Sequence, residues 1–304
     1  MITSYDYLNI KIKPRQQRLK HALFIQDKGH SVWTKTPFDT QLSLGCQACK
    51  AGTWMCIFVG SKCNADCQYC PQGSREDKDQ KAEDDRFTRY MPIIDAKSLI
   101  AKQAPVITGI SYSGGEPLLY LSKIIDLASF VTSQYPHLYQ WLYTNGILLN
   151  KEILKQLADL NIQELRIHLG ATDFSASVLR NTELAVRYIQ HVNIETPATH
   201  RARDQLIDNG LLRHLLNIGI KQVNLAELKV HNALTHKFIA NAELYNYCEP
   251  GFMVTSPVYS REITYDIMEY AICNNFSIII NDCSNAAKAW QQYMSRKNNL
   301  QLFC

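Results

Sequence analysis

From Thr53 onward, short apolar runs rich in β-branched and aromatic residues alternate with longer stretches of helical period. This is the sequence form of repeated βα units and a parallel sheet. Strands are predicted at Trp54–Val59, Val106–Ser111, Tyr139–Tyr143, Glu164–Leu169, His191–Glu195 and Gln222–Leu225, each after the first following a candidate helix. A late run, Phe276–Ile280, adds a seventh, with helices around Arg261–Ile272 before it and Ala286–Lys297 after it. Six βα units fit an α/β partial barrel, in which reactive groups lie at the C-terminal ends of the strands. An open doubly wound sheet is the alternative, but no G-x-G-x-x-G follows a strand. Beyond the βα alternation no internal repeat is visible.

Composition narrows the class. The 304 residues, 46% of them apolar, suffice for one large α/β domain or a barrel with extra segments. No apolar run is long enough to span a bilayer, and Met1–Asp6 lacks the charged and then apolar pattern of a secretory signal. A soluble, cytoplasmic protein without a membrane partner is expected. Ten cysteines in such a chain point to metal binding rather than disulfides. A net charge of +4 is too small to indicate nucleic acid; the local basic stretch of Lys11, Lys13, Arg15, Arg18, Lys20 and His21 reads as a solvated face. The mixed-charge stretch Ser74–Arg86 has no apolar period and is expected to be a mobile loop.

The chemistry concentrates in Cys63, Cys67 and Cys70, spaced C-x3-C-x2-C. Three thiolates hold three corners of a cubic four-iron, four-sulfur cluster and leave one iron open, whereas electron-carrying clusters are usually closed by four cysteines. Three close cysteines also supply most of a tetrahedral zinc site, which is the competing reading. A second motif, Ile110-Ser111-Tyr112-Ser113-Gly114-Gly115-Glu116-Pro117, is an apolar strand running into a double glycine, a carboxylate and a proline. The glycines allow close backbone approach, although Gly-Gly-Glu-Pro alone also reads as an ordinary turn.

Together the cysteine triplet, with Tyr69 before its third member, and the Gly114–Pro117 turn resemble the signature of radical S-adenosylmethionine (SAM) enzymes. The likeness extends from about Gly45 to Asn298 and is to a largely archaeal family related to pyruvate formate-lyase activating enzymes. It runs through Cys46-x2-Cys49, Ile57-Phe58-Val59, Leu142–Gly146, Glu164–His168, Ile194–Pro197, Asn224–Leu228 and Cys283-Ser284 with Lys288. Thr199-His200 stands where that family tends to have a proline-glycine turn, and Asn281-Asp282 where it tends to approach the cysteine through a histidine. The resemblance implies a partial (β/α)6 TIM-type barrel of radical SAM type. Residues 53–230 would form it, with an N-terminal extension over 1–52 carrying Cys46 and Cys49. A C-terminal extension over 231–304 would add a further strand and helices.

The resemblance also implies a [4Fe-4S] cluster on Cys63, Cys67 and Cys70, SAM chelated at the open iron, and reductive cleavage to a 5'-deoxyadenosyl radical that removes hydrogen from a substrate. Gly114, Gly115, Glu116 and Pro117 would receive the methionine amino group, Tyr69 would lie near the adenine, and Thr144 and Asn145 would form a strand-end polar turn. His168 is either a ligand to SAM or substrate or a satisfied core histidine. With Arg166 it shares one face of a strand, where an inward basic pair needs a carboxylate, a ligand or water. Glu195, Asn224 and Glu227 are hydrogen-bonding candidates for ribose or substrate. Cys46 and Cys49 form a C-x2-C pair that Cys283 could complete as a second iron-sulfur or zinc site; buried reduced cysteines are the alternative. The expected partners are a one-electron reductant such as flavodoxin or ferredoxin and a peptide, protein or small-molecule substrate. A radical SAM oxidoreductase acting on a peptide or protein is the first reading. Radical modification of a small molecule or nucleotide is the second, and an iron-sulfur electron carrier or metal-binding scaffold the third.

Overall fold

A computed structural model describes residues 2–3, 7–38, 41–74, 76, 93–298 and 300. Apart from Ser74 and Glu76, the mixed-charge stretch Ser74–Arg86 lies outside the described residues. The strands are β1 (Ile2–Thr3), β2 (Leu23–Gln26), β3 (Ser31–Thr34), β4 (Trp54–Phe58), β5 (Gly109–Ser113), β6 (Tyr139–Thr144), β7 (Glu164–Ile167), β8 (His191–Pro197), β9 (Gln222–Ala226), β10 (Leu244–Glu249), β11 (Phe252–Pro257) and β12 (Ile279–Cys283). The chain divides into two compact units, and the division falls inside β8, between Asn193 and Ile194.

One unit comprises Ser43–Cys67, Gln72–Asn193 and Gln291–Cys304. In it β4, β5, β6 and β7 lie side by side in sequence order, all parallel. These strands are buried almost throughout, as expected of parallel strands covered on both faces. The helix Leu121–Gln134 buries Ile124, Leu127, Ala128 and Val131, a three-and-four spacing that makes one apolar stripe. Each large aliphatic so buried contributes about 1.5–3 kcal/mol. The helix Lys151–Asp159 starts where the Asn150 side chain accepts a hydrogen bond from Ile153 N, and it buries Leu154 and Leu157.

The other unit comprises Met1–Leu42, Gln68–Pro71 and Ile194–Trp290. The part of β8 from Ile194 pairs in parallel with β9, and β9 pairs in parallel with β12. Beyond β12 the hairpin β2–β3 attaches antiparallel through β3. A small separate sheet runs β1, β10, β11.

Six predicted strands and the late seventh are all strands, but two are displaced. The run beginning at Val106 becomes a strand only from Gly109, because the amides of Val106 and Ile107 both turn back to Gln103 O and close the preceding helix. Likewise Phe276 N bonds Ala271 O at the end of the helix Val258–Cys273, so the late strand begins at Ile279 and carries Asn281 and Cys283 within it. The short strands β2, β3, β10 and β11 went unpredicted; runs of four to six residues flanked by polar residues carry little period.

Candidate active site

The loop entering the cysteine triplet is stitched to the glycine turn backbone to backbone. Val59 N donates to Ser113 O (2.9 Å), Gly115 N to Gly60 O (2.9 Å) and Glu116 N to Lys62 O (2.8 Å), which extends the β4–β5 pairing past both strand ends. A Cβ on Gly114 would come within 2.3 Å of Gly60 O, and one on Gly115 within 2.1 Å of Ser61 O. Gly114 also has φ +148°, which side-chain-bearing residues rarely adopt. Both positions therefore exclude a side chain because of the cysteine loop itself.

Glu116 is the linchpin of the turn. It is 1% exposed. Its Oε1 accepts from Thr144 Oγ1 (2.7 Å) and Leu118 N (3.1 Å), and its Oε2 from Asn145 N (2.7 Å). Burial raises the pKa of this carboxyl, with the bonds from Asn145, Thr144 and Leu118 opposing. Thr144 in turn accepts from Gly146 N, and Asn145 Oδ1 from Ile147 N, so the turn after β6 has its own closed set of bonds. The Asn145 amide then reaches the cysteine loop, donating to Asn64 Oδ1 at 2.7 Å and pointing to Cys63 Sγ at 4.0 Å. Glu116, Thr144, Asn145 and Cys63 are thus one assembly in the first unit. Pro117 opens the short 3-10 turn Pro117–Tyr120, and Tyr120 OH accepts from Lys62 N.

His168 follows β7; its backbone N donates to Thr144 O at 2.8 Å, and burial pushes its imidazole down to about 4. Arg166, on the same strand face, meets the carboxylate that an inward guanidinium needs. Its Nε donates to Glu164 Oε1 (2.7 Å), its Nη1 to Tyr143 OH (2.8 Å) and its Nη2 to Cys46 Sγ (3.3 Å), with the Trp141 ring beneath. Cys46 and Cys49 sit on adjacent turns of the helix Leu44–Ala51.

In the second unit, Glu195 on β8 accepts at Oε2 from Asn224 Nδ2 (3.0 Å). Asn224 Oδ1 accepts from Gln222 Nε2 (2.7 Å) and Asn281 Nδ2 (2.9 Å), and the Asn281 amide also reaches Cys283 Sγ (3.3 Å). Tyr69 packs edge-on against Phe238 with centroids 5.4 Å apart. Asn232 Nδ2 donates to Cys70 O (3.0 Å), holding that end of the triplet.

Residues 57–192, which include Cys63, Cys67, Cys70 and the glycine turn, match the family described as the Radical SAM superfamily. That stretch of the chain is similar to radical SAM domains. It is 24% identical over 206 residues, 65% of this chain and 53% of the relative, to a Methanocaldococcus jannaschii protein provisionally described as a glycyl-radical enzyme activating enzyme. It is 26% identical over 121 residues, 38% of this chain and 39% of the relative, to the FeMo cofactor biosynthesis protein NifB of the same organism. Among solved structures, Streptococcus suis SuiB matches with TM-score 0.53 at 14% identity, covering 76% of this chain and 49% of SuiB. SuiB bound to the precursor peptide SuiA matches with TM-score 0.50 at 12% identity, covering 92% of this chain and 61% of that one. The chain thus spans about half the length of the first of these relatives. The expected fold class, an α/β partial barrel of radical SAM type, is the class these structures share.

The chemistry of this stretch suits a [4Fe-4S] cluster. Cys63, Cys67 and Cys70 are half-buried, and the Asn145 amide faces the first of them. Sequence reasoning missed Gln222, Asn281 and Asn232 as parts of the strand-end network. The signal available was polar side chains two residues apart on one strand face, the amides of Gln222 and Asn224 and the pair Asn281 and Cys283.

Proposed function

We propose that this chain is a radical SAM enzyme that abstracts hydrogen from a peptide or protein substrate. Cys63, Cys67 and Cys70 would hold the [4Fe-4S] cluster, and SAM would complete it. Cluster and SAM together, once reduced by one electron from a flavodoxin- or ferredoxin-like donor, supply a 5'-deoxyadenosyl radical. The observation that carries the reading is the pinning of the Cys63 loop by the Gly114–Glu116 turn, with the Asn145 amide aimed at Cys63 Sγ.

The chain's own residues have distinct tasks in this reading. Asn145 withdraws electron density from a ligating sulfur, which favours the reduced state of a cluster. Glu116 has both carboxylate oxygens occupied within the protein, so it shapes the turn, and the backbone around Gly114 and Gly115 is left to meet the methionine amino group. Neutral His168 can accept or donate one hydrogen bond near SAM without adding charge. Glu195 offers a carboxylate to ribose or substrate, held in place by the Asn224 amide. Tyr69 offers an aromatic face to the adenine. The peptide substrate is an analogy to SuiB, which binds the precursor peptide SuiA, and to the activating-enzyme relative. Cys46 and Cys49, on adjacent turns of one helix and with Arg166 donating to the Cys46 sulfur, are proposed as thiolate ligands of a second metal.

The test is anaerobic reconstitution with iron and sulfide, followed by dithionite and SAM. 5'-Deoxyadenosine is expected from the wild type and not from Cys63→Ala, Cys67→Ala or Cys70→Ala. A demonstrable cluster that binds SAM yet yields none of this product overturns the reading. Residual iron or zinc in the triple-alanine variant is expected if the second site exists.

A further inference from the structure

Beyond the cluster loop, the segment after β9 gathers basic residues that have no ion-pair partner among the described residues. Lys229 and His231 lie on it, held between two anchors: Val230 N donates to Thr255 O (2.9 Å) on β11, and Asn232 Nδ2 donates to Cys70 O (3.0 Å). Lys288, from the helix Asn285–Lys297, brings its Nζ to 3.5 Å from Glu227 O, two residues before Lys229. The Lys229 amine lies 4.7 Å from the centre of the Phe252 ring.

Among the described residues, no carboxylate stands within ion-pair distance of either lysine. The nearby Glu227 is committed elsewhere: Tyr245 OH donates to its Oε1, Asn285 N to its Oε2 (2.7 Å), and the buried Arg261 offsets its charge. The cationic groups consequently repel one another. Burial, and then Lys288, push the Lys229 amine down to about 6 against the pull of Glu227. Burial, and then Lys229 and Lys288, push the His231 imidazole down to about 4. Concentrated, partly desolvated positive charge beside an aromatic face is a destabilising arrangement for the protein alone and a favourable one for a bound anion.

We propose that Lys229, Lys288 and His231 form a binding site for an oxyanionic group of the substrate, a carboxylate or a phosphate, beside the Cys70 end of the cluster loop. The placement deepens the radical SAM reading and rests on it. Because Asn232 joins the basic segment to Cys70, a substrate gripped there by its anionic end would be anchored next to the radical-generating site. Lys288 supplies charge, Lys229 an amine that a bound anion draws back to its charged form, His231 a neutral N–H donor, and Phe252 a wall for the adjoining carbon skeleton.

The test is calorimetric titration of the reconstituted full-length protein with sodium pyrophosphate and, separately, sodium succinate at constant ionic strength. Wild type, the Lys229→Gln/Lys288→Gln double variant and the Lys229→Arg/Lys288→Arg double variant would be compared. At least one anion is expected to bind the wild type, the Gln variant to bind it at least about tenfold more weakly, and the Arg variant to recover binding. The tighter anion tells phosphate from carboxylate. Circular dichroism checks each fold, and should the double Gln variant unfold, Lys288→Gln alone carries the comparison. SAM affinity is expected to be unchanged in the Gln variant; an equal loss would assign the cluster to SAM's own carboxylate and overturn the proposal, as would binding of neither anion or equal binding by wild type and Gln variant. Anion binding without 5'-deoxyadenosine would overturn the radical SAM reading alone. 5'-Deoxyadenosine without anion binding would overturn this inference alone.

Discussion

Arg166 and Glu164 are 3% and 0% exposed, and the guanidinium is shared among a carboxylate, a phenol and a thiol. Removing one partner of such a pair strands a buried charge. Arg166→Met is therefore expected to cost about 3–5 kcal/mol in urea unfolding, and pairing it with Glu164→Gln to recover part of that loss. Glu116→Gln puts an NH2 where an oxygen now accepts from a backbone N–H or a hydroxyl. About 1–3 kcal/mol should be lost for the orphaned donor, again by urea unfolding. His168 supplies a pH signature. Its folded pKa, about 4, lies below the 6.5 of an unconstrained histidine, so the unfolded chain binds the extra proton first as pH falls. The stabilisation is complete above about pH 6.5 and disappears as pH drops through about 4. About 3 kcal/mol of the difference in stability between pH 7 and pH 4 should vanish in His168→Asn, measured beside the wild type in the same buffers.

At the scale of elements, the turn after β5 and the loop after β4 behave as one piece, because their backbones pair and no side chain fits between them. Gly115→Ala should therefore act through the loop. Helix and strand content by circular dichroism should stay near wild type, while iron bound on reconstitution falls at least about threefold as the Cys63 segment is pushed out of register; the displacement is the usual response to overpacking. Full iron retention would show that the loop accommodates the methyl. The strand-end motifs were legible because apolar runs and Gly-Gly, Asn-Gly and cysteine punctuation are local signals. What Glu116 does was not, since its three donors come from Leu118, Thr144 and Asn145, two of them on the next strand's turn. Thr199-His200 illustrates the same gap. In the sequence it departs from the related family; in the fold Thr199 is a helix cap whose Oγ1 accepts from Ala202 N at 3.1 Å.

For the whole molecule, each unit is assembled from pieces far apart in sequence, and residues 291–304 belong with 43–67 and 72–193. Asn298 Nδ2 donates to Ala51 O (3.1 Å) and Gly52 O (3.2 Å), tying the last helix to the end of the helix that carries Cys46 and Cys49. Ending the chain after Trp290 should lower the melting temperature by at least about 4 °C, the shift that roughly 1–2 kcal/mol produces in a domain of this size. Differential scanning calorimetry reads it directly. No helix among the described residues is long and apolar enough to cross a membrane.

By itself the sequence determined the βα succession, the triplet Cys63, Cys67 and Cys70 with its radical SAM likeness, and the need of Arg166 for a partner. These depend on residue type, spacing and period along a short stretch of chain. Only the tertiary structure decided which carboxylate Arg166 meets, that Glu116 faces Thr144 and Asn145, and that Lys288 comes near enough to Lys229 and His231 to help push both below their ordinary ranges. Burial and charge pairing are set by neighbours tens of residues away, and no local pattern encodes the direction in which a buried polar side chain will find its partner.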